Sequence, residues 1–322
     1  MILRDKPGVR ELLFATRGSI ILKILPQVAV VSGFALLVML VDRHSLPLTH
    51  TNIAPFTVFG IALSLFLGFR NNAAYDRWWE ARRLWGQLIA DMRALGRESD
   101  LFPAASGLDR ATARRCLLTL AHHGYADYDG KFFTLTPRVL RLALAFIHLH
   151  RTNLRRITDD RAGEWVADLP DGPHPPCTAL DAIGVELTQA AREGTLDGYG
   201  QRALAQRIAA ISYAQAGCAR LANTPLPYVY SLLIFRTVWL YCLLVPFGLI
   251  DTAGWLTPVF AGVVAYVFFG LAEVTEELGH PFGATPNCLP LDAMCRTVEI
   301  SLAPRLGIVP PEPVKPVDYL LT

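Results

Sequence analysis

The sequence predicts an all-α membrane protein: four transmembrane helices in two hairpins, flanking a helical cytoplasmic body. Three observations predict it. Hydrophobic residues make up 52% of the 322 and charged residues only 18%, where a soluble chain carries about 25% charged residues. Four apolar segments, 25–42, 53–70, 228–250 and 255–273, each approach the roughly 20 residues a helix needs to cross about 30 Å of hydrocarbon. Between the second and third lies a long polar stretch whose apolar residues recur at helical spacing.

Taken in order, the N-terminus carries Arg4, Lys6 and Arg10 before an apolar run. That run lacks the small-residue cleavage site of a signal peptide and is read as a retained first span. Pro26 and Pro55 fall near the starts of the first two spans, where a missing N–H costs a helix least. The links inside the hairpins, Asp42 to Asn52 and Asp251 to Gly254, carry a single cation, Arg43. Arg70, Arg77, Arg82, Arg83, Arg93 and Arg97 crowd the exit of span two. The positive-inside rule therefore puts both termini and the middle segment in the cytoplasm. The predicted organisation is 1–70 as N-terminal segment and first hairpin, 71–225 as cytoplasmic body, 226–275 as second hairpin, and 276–322 as a cytoplasmic C-terminal segment.

Within the body, Arg110–His123, Pro137–His150 and about Tyr199–Asn223 read as helices. Gly124–Lys131 reads as a turn and Pro170–Pro176 as a loop. Pro310, Pro311, Pro313 and Pro316 make the tail an extended strap. The six cysteines form no C-x-x-C pair, so neither a disulfide framework nor a zinc site is expected. His122-His123 and His148-x-His150 lack the i, i+4 spacing of helix-borne metal ligands and read as ordinary surface or core histidines. His280, beside Pro281, is a candidate for a pH-sensitive group at the end of span four. A net charge of +2, with basic residues spread over several segments, gives no nucleic-acid footprint.

Span two carries the most information. Ile61, Leu65 and Phe69 form one apolar stripe, and Gly60, Ser64 and Gly68 form a parallel stripe of small residues that permits close helix approach in lipid. Copies packed through the small stripe would turn the apolar one inward as rings, a constriction that gates by dewetting. Plain core packing is the competing reading of the same periodicity. Arg236, about ten residues into span three, lies near the bilayer middle. Hairpin geometry with a turn near residue 253 sets it opposite about residue 270, one turn from Glu273, so an Arg236–Glu273 pair is expected. Lys23, near the start of span one, can snorkel to the interface unaided.

The stretch GFRNNAAYDRWWEARRLWG (Gly68 to Gly86), NTPLPYVYS (Asn223 to Ser231), and EELGHPFG with NCLPLD (Glu276 to Gly283, Asn287 to Asp292) together resemble the bestrophin family, in its bacterial branch. The resemblance covers both hairpins and their cytoplasmic exits but not residues 90–200. It implies a homopentameric, passive chloride-type channel in which identical subunits surround one axial pore. Monovalent ions would be conducted past a neck at Ile61, Leu65 and Phe69. The family's animal members carry an aromatic where Leu65 stands, which leaves a cation-selective channel as an alternative. Their acidic calcium clasp follows Pro-Phe-Gly; here Ala284 to Cys288 offer no carboxylate, so calcium independence and no cofactor are expected. A secondary transporter would show inverted repeats. An enzyme would need more than Glu276-Glu277, which point about 100° apart on a helix. A membrane-anchored sensor or scaffold is the remaining alternative.

Overall fold

The computed structural model describes residues 1–2, 8–9, 15, 18–44, 52–101, 126–128, 133–135, 137–158, 165, 169, 172–192 and 198–322. Eight α-helices run through them: α1 Ile21–His44, α2 Ala54–Leu101, α3 Pro137–Arg155, α4 Pro175–Arg192, α5 Gly198–Asn223, α6 Tyr228–Ala253, α7 Thr257–Gly279 and α8 Leu291–Leu302. Strand β1 (Ala126–Tyr128) pairs antiparallel with β2 (Phe133–Leu135), with Asp127 opposite Thr134. The all-helical expectation is therefore corrected by one antiparallel strand pair, whose first strand falls within Gly124–Lys131, the segment predicted as a turn. The helix expected at Arg110–His123 and the pair His122-His123 lie outside the described residues.

Two compact units emerge, one of Met1, 81–223 and 289–322, the other of 2–80 and 224–288. The second holds α1, the start of α2, α6 and α7. Its apolar core joins Val31, Leu63, Leu67, Val238, Ala265 and Phe268 among others. Three stretches, 21–44, 54–98 and 228–279, are long and apolar enough to cross a membrane. The last contains α6 and α7, which reverse direction at Gly254, where φ is +54°. Trp239 meets Phe269 at 4.9 Å and Tyr241 meets Phe268 at 5.2 Å between ring centroids, so the two helices are antiparallel about residue 254.

Glycine sets the other contacts. A Cβ on Gly262 would collide with Ser32, and one on Gly270 would press Ile20 at 3.3 Å, so α1 lies close along α7 in the opposite direction. Gly248 admits the Phe56 ring and Gly60 admits the Tyr241 hydroxyl, which aligns α2 antiparallel to α6. Pro246 sits inside α6, an interruption that neighbouring helices make tolerable in an apolar setting. Helix α2 runs on from the apolar segment to a total of 48 residues, about 70 Å, with its single proline, Pro55, in the first turn. The hydropathy falls at Arg70, but the helix-forming residues do not stop there.

The other unit packs α3 against α4 and α8. Ala143, Phe146 and Ile147 are fully buried, as are Ile183, Leu291 and Val298. Helix α4 begins at Pro175 and Pro176, within the segment expected to be loop. Proline suits a first turn, whose N–H groups have no intrahelical partner. Helix α8 buries Leu291, Cys295, Val298 and Leu302, spaced 4, 3 and 4 apart. From Gly307 onward the proline-rich tail has neither helix nor strand ladder.

Candidate functional site

The expected neck stripe occupies one face of α2. Ile61, Leu65 and Phe69 are 66%, 58% and 64% exposed, whereas Leu63 and Leu67 are 4% and 0% exposed. At 100° per residue the stripe lies nearly opposite that buried pair, so none of its members belongs to the core of the chain. Three large apolar side chains in open space on one helix face require a partner surface or lipid.

The small-residue stripe divides. Gly60 is buried and serves a contact within the chain, with Tyr241. Ser64 is exposed, with its hydroxyl donating to the Gly60 carbonyl at 2.8 Å. Gly68 has no neighbouring atom within 4 Å of a Cβ built on it. Only the Ser64–Gly68 end therefore remains open to another helix.

A polar collar closes the ends of these helices. Arg70 reaches Ser231 Oγ at 2.8 Å and Glu276 Oε2 at 3.0 Å. Arg77 donates to the carbonyls of Thr224 at 2.6 Å and Gly279 at 3.3 Å. Trp78 Nε1 donates to the Asn287 carbonyl at 3.1 Å, and Asn287 Nδ2 donates in turn to Glu277. The arginines and tryptophan of the stretch after span two thus tie the start of α6 and the end of α7 to α2. The Pro281–Gly283 turn is fastened beside them: Phe282 is buried, and Cys288 Sγ sits 3.1 Å from the His280 carbonyl. His280 itself is exposed, with Nδ1 3.1 Å from the Glu276 carbonyl oxygen.

The pairing expected for Arg236 is not the one made within the chain. Glu273 accepts from Lys23 Nζ at 2.7 Å, and Glu277 accepts from the same ammonium at 2.8 Å. Arg236 is exposed and has no ion pair among the described residues. Hairpin geometry fixes the level of one helix against the next but not the rotation of either. It also leaves out α1, which the α7 glycines bring close enough for Lys23 to reach both carboxylates. Lys23 is thus a bridging residue and not merely a snorkelling one.

In the other unit, His148 and His150 are core histidines. His150 is fully buried, stacked 5.5 Å from Trp85 and 5.7 Å from Phe146 between ring centroids, and burial pushes its imidazole down to about 3. His148 Nε2 lies 2.6 Å from Glu299 Oε1. Asp292 is buried against the guanidinium groups of Arg151 and Arg155. Burial alone would raise its carboxyl, but the two hydrogen-bonded arginines outweigh that and hold it below the usual carboxylate range. Read from the sequence, His148 and His150 are surface or core histidines and Asp292 only the end of a motif; Arg151, Arg155 and Glu299 are missed, although Asp292 directly follows Leu291, the first of the buried residues of α8. Among the described residues no cluster of histidine, cysteine and carboxylate could hold a metal ion.

Apolar helices, a polar collar at their ends and an unpaired apolar face on α2 define a polytopic helical membrane protein. The family model of bacterial and fungal bestrophins matches residues 1–304; the chain belongs to the bestrophin family. It is 40% identical over 322 residues to a voltage-dependent anion channel-forming protein of Mesorhizobium japonicum, covering 97% of this chain and 94% of that one. A protein of the same designation from Ralstonia nicotianae is 35% identical over 312 residues, 95% of each chain. The crystal structure of a bacterial bestrophin homologue from Klebsiella pneumoniae superposes with a TM-score of 0.69 at 30% identity. It covers 91% of this chain and 100% of that one.

Proposed function

We propose that the chain is one subunit of a homopentameric channel that passes monovalent anions passively along a single axial pore. Ile61, Leu65 and Phe69 form its hydrophobic neck. The observation that carries this reading is the exposed apolar face of α2, diametrically opposite the face the chain buries in itself. Copies of the helix meeting through Ser64 and Gly68 turn that face toward an axis, where groups unable to replace an ion's hydration shell limit passage by dewetting. The names of the relatives, anion channel-forming proteins, support the ion's sign.

Four spans, 25–42, 53–70, 228–250 and 255–273, set in an inner membrane with both termini in the cytoplasm, account for the arginines after span two. Residues 71–225 and 276–322 then supply cytoplasmic parts, and 1–70 and 226–275 the two hairpins. Arg236, an exposed charge on an apolar helix, finds its counter-charge across a subunit boundary, since such charges are paired or hydrated. Calcium plays no part. Residues 284–288 carry no carboxylate, and the nearby Glu277 is engaged by Lys23 and Asn287. Conduction needs no catalytic residue or cofactor.

Current through planar bilayers, with reversal potentials read in a salt gradient, tests conduction and ion sign together. Reversal near the chloride potential is expected, and reversal near the cation potential would convert the reading to a cation channel. Replacing Ile61, Leu65 and Phe69 together by Ala should raise conductance and leave response to micromolar calcium absent. A stable monomer in detergent would remove the pore altogether, since one such subunit cannot surround an axis.

A further inference from the structure

The exposed face of α2 does not end at Phe69. At about 100° per residue, Ile61, Leu65 and Phe69 spread over a sector of about 80°, and Asn72 and Asp76 fall inside the same sector. Both are exposed. On the opposite side, Leu63, Leu67 and Ala74 are 4%, 0% and 0% exposed, so the helix keeps one rotation from the apolar stripe to Asp76. At about 1.5 Å per residue, Asn72 stands about 5 Å and Asp76 about 10 Å beyond Phe69 along α2.

Asp76 makes no hydrogen bond or ion pair among the described residues. The positions one turn away, Asn72, Ala73, Trp79 and Glu80, hold no cation. Arg77, its neighbour in sequence, is turned away and donates to the carbonyls of Thr224 and Gly279. Arg70 is held by Ser231 and Glu276. The next cation of the same sector, Arg83, comes two turns further along the sequence. A carboxylate so placed does nothing to hold the chain together. It lies on the face that the chain leaves uncovered, just past the apolar stripe.

On the pore reading above, we propose that Asp76 is a charge-selecting residue of the conduction path, one carboxylate per subunit forming a ring at one mouth of the hydrophobic neck. Dewetting of an apolar constriction opposes ions of either sign, so Ile61, Leu65 and Phe69 cannot tell an anion from a cation. Sign is told by fixed charges near the mouth, and Asp76 stands within about one Debye length of Phe69 at about 0.1 M salt. The ring depletes anions and enriches cations there. It therefore holds the anion-to-cation permeability ratio below what the neck without it would give.

The test uses the full chain reconstituted in planar bilayers under a sodium chloride gradient, with reversal potentials read near about 0.1 M and about 1 M salt. Asp76→Asn is expected to raise the chloride-to-sodium permeability ratio about threefold at the lower salt. The rise should nearly vanish at the higher salt, where screening shortens the ring's reach to about 3 Å. Asp76→Glu, which keeps the charge, should retain the parent ratio. An unchanged ratio in Asp76→Asn at low salt, while alanine at Ile61, Leu65 and Phe69 still raises conductance, would overturn the role of Asp76 and leave the neck standing. A shift that persists at high salt, or that Asp76→Glu reproduces, would also overturn it, because such a shift reports shape and not charge. Conductance unmoved by the triple alanine replacement, with the assembly intact, would remove the neck and the Asp76 ring together.

Discussion

The two units solve the placement of charge in opposite ways. Where α1, α2, α6 and α7 pack, the interior is aliphatic and aromatic, and ion pairs such as Lys23 with Glu273 and Arg70 with Glu276 gather at the last turns of α7. Where α3, α4 and α8 pack, charge is taken inside: Asp292 and Arg151 are 8% and 2% exposed. Arg207 likewise binds the buried Asp91 at 2.8 Å and also Glu98 at 2.5 Å; bonded to both carboxylates, its guanidinium is held above its ordinary value. Charge among apolar helices is costly unless paired, whereas the other unit holds its interior charges in hydrogen-bonded pairs.

The sharpest way to break the comparison is to strip an acceptor from the charged interior. Asp292→Ala leaves Arg151 and Arg155 buried without their carboxylate and should cost about 3–5 kcal/mol. Hydrogen exchange of α3 and α8 reads the loss locally; exchange unchanged in both helices would mean that the triad is not holding the unit.

Next in size is the apolar interior. Leu67→Ala should cost about 2–4 kcal/mol in thermal melts of the detergent-solubilised protein, because Leu67 is fully buried. Phe66→Ala should cost less within the chain, since Phe66 is 54% exposed, even though both residues lie off the neck stripe. Equal losses would indicate that a neighbouring subunit buries Phe66.

Acidity should separate the units as well. His150 has a depressed folded value near 3 against about 6.5 unfolded, so the unfolded state binds the extra proton between those limits. Stability is therefore full above about pH 6.5 and declines as pH falls toward 3, by about 1.4 kcal/mol per pH unit. Asp292, also depressed, acts in the same direction: its contribution is complete above the ordinary carboxylate value and is lost as pH falls through its lower folded value. Circular dichroism melts between pH 7 and 4 should show this slope, and His150→Phe should flatten it.

The smallest effect is expected at the collar. Lys23→Gln removes a partly exposed ammonium and should cost about 1 kcal/mol, since exposed pairs contribute little. Arg236→Gln should cost nothing in a dissociated monomer and should register only in assembly, measured by native mass spectrometry. A monomer destabilised by Arg236→Gln would show that the side chain has an intrachain role.

Much of the molecule was legible before its coordinates. The four apolar segments, the helix ending at Asn223 and the exposed stripe of α2 follow from period and composition, because lipid and core both impose a regular pattern. Helix α8 was equally readable from Leu291, Cys295, Val298 and Leu302, but its brevity beside a proline-rich tail hid it. What could not be read was azimuth. Nothing in the sequence of α6 and α7 says that Gly262 and Gly270 draw in α1, so Glu273 was assigned to Arg236 and not to Lys23. Gly60 was assigned to contact between copies, and only the placement of Tyr241 shows that it has an intrachain occupant.

The Lys23 bridge also bears on how the protein is made. Its partners lie 250 and 254 residues further along the chain. At about 5–20 residues per second, the first hairpin leaves the ribosome on the order of ten to fifty seconds before Glu273 exists. Through that interval the ammonium of Lys23 must be satisfied by headgroups or water, which its place in the first turn of α1 permits. The first hairpin thus enters the membrane on its hydrophobicity alone, and the bridge that fastens α1 to α7 is a late event of biogenesis, closed only after α7 has been synthesised.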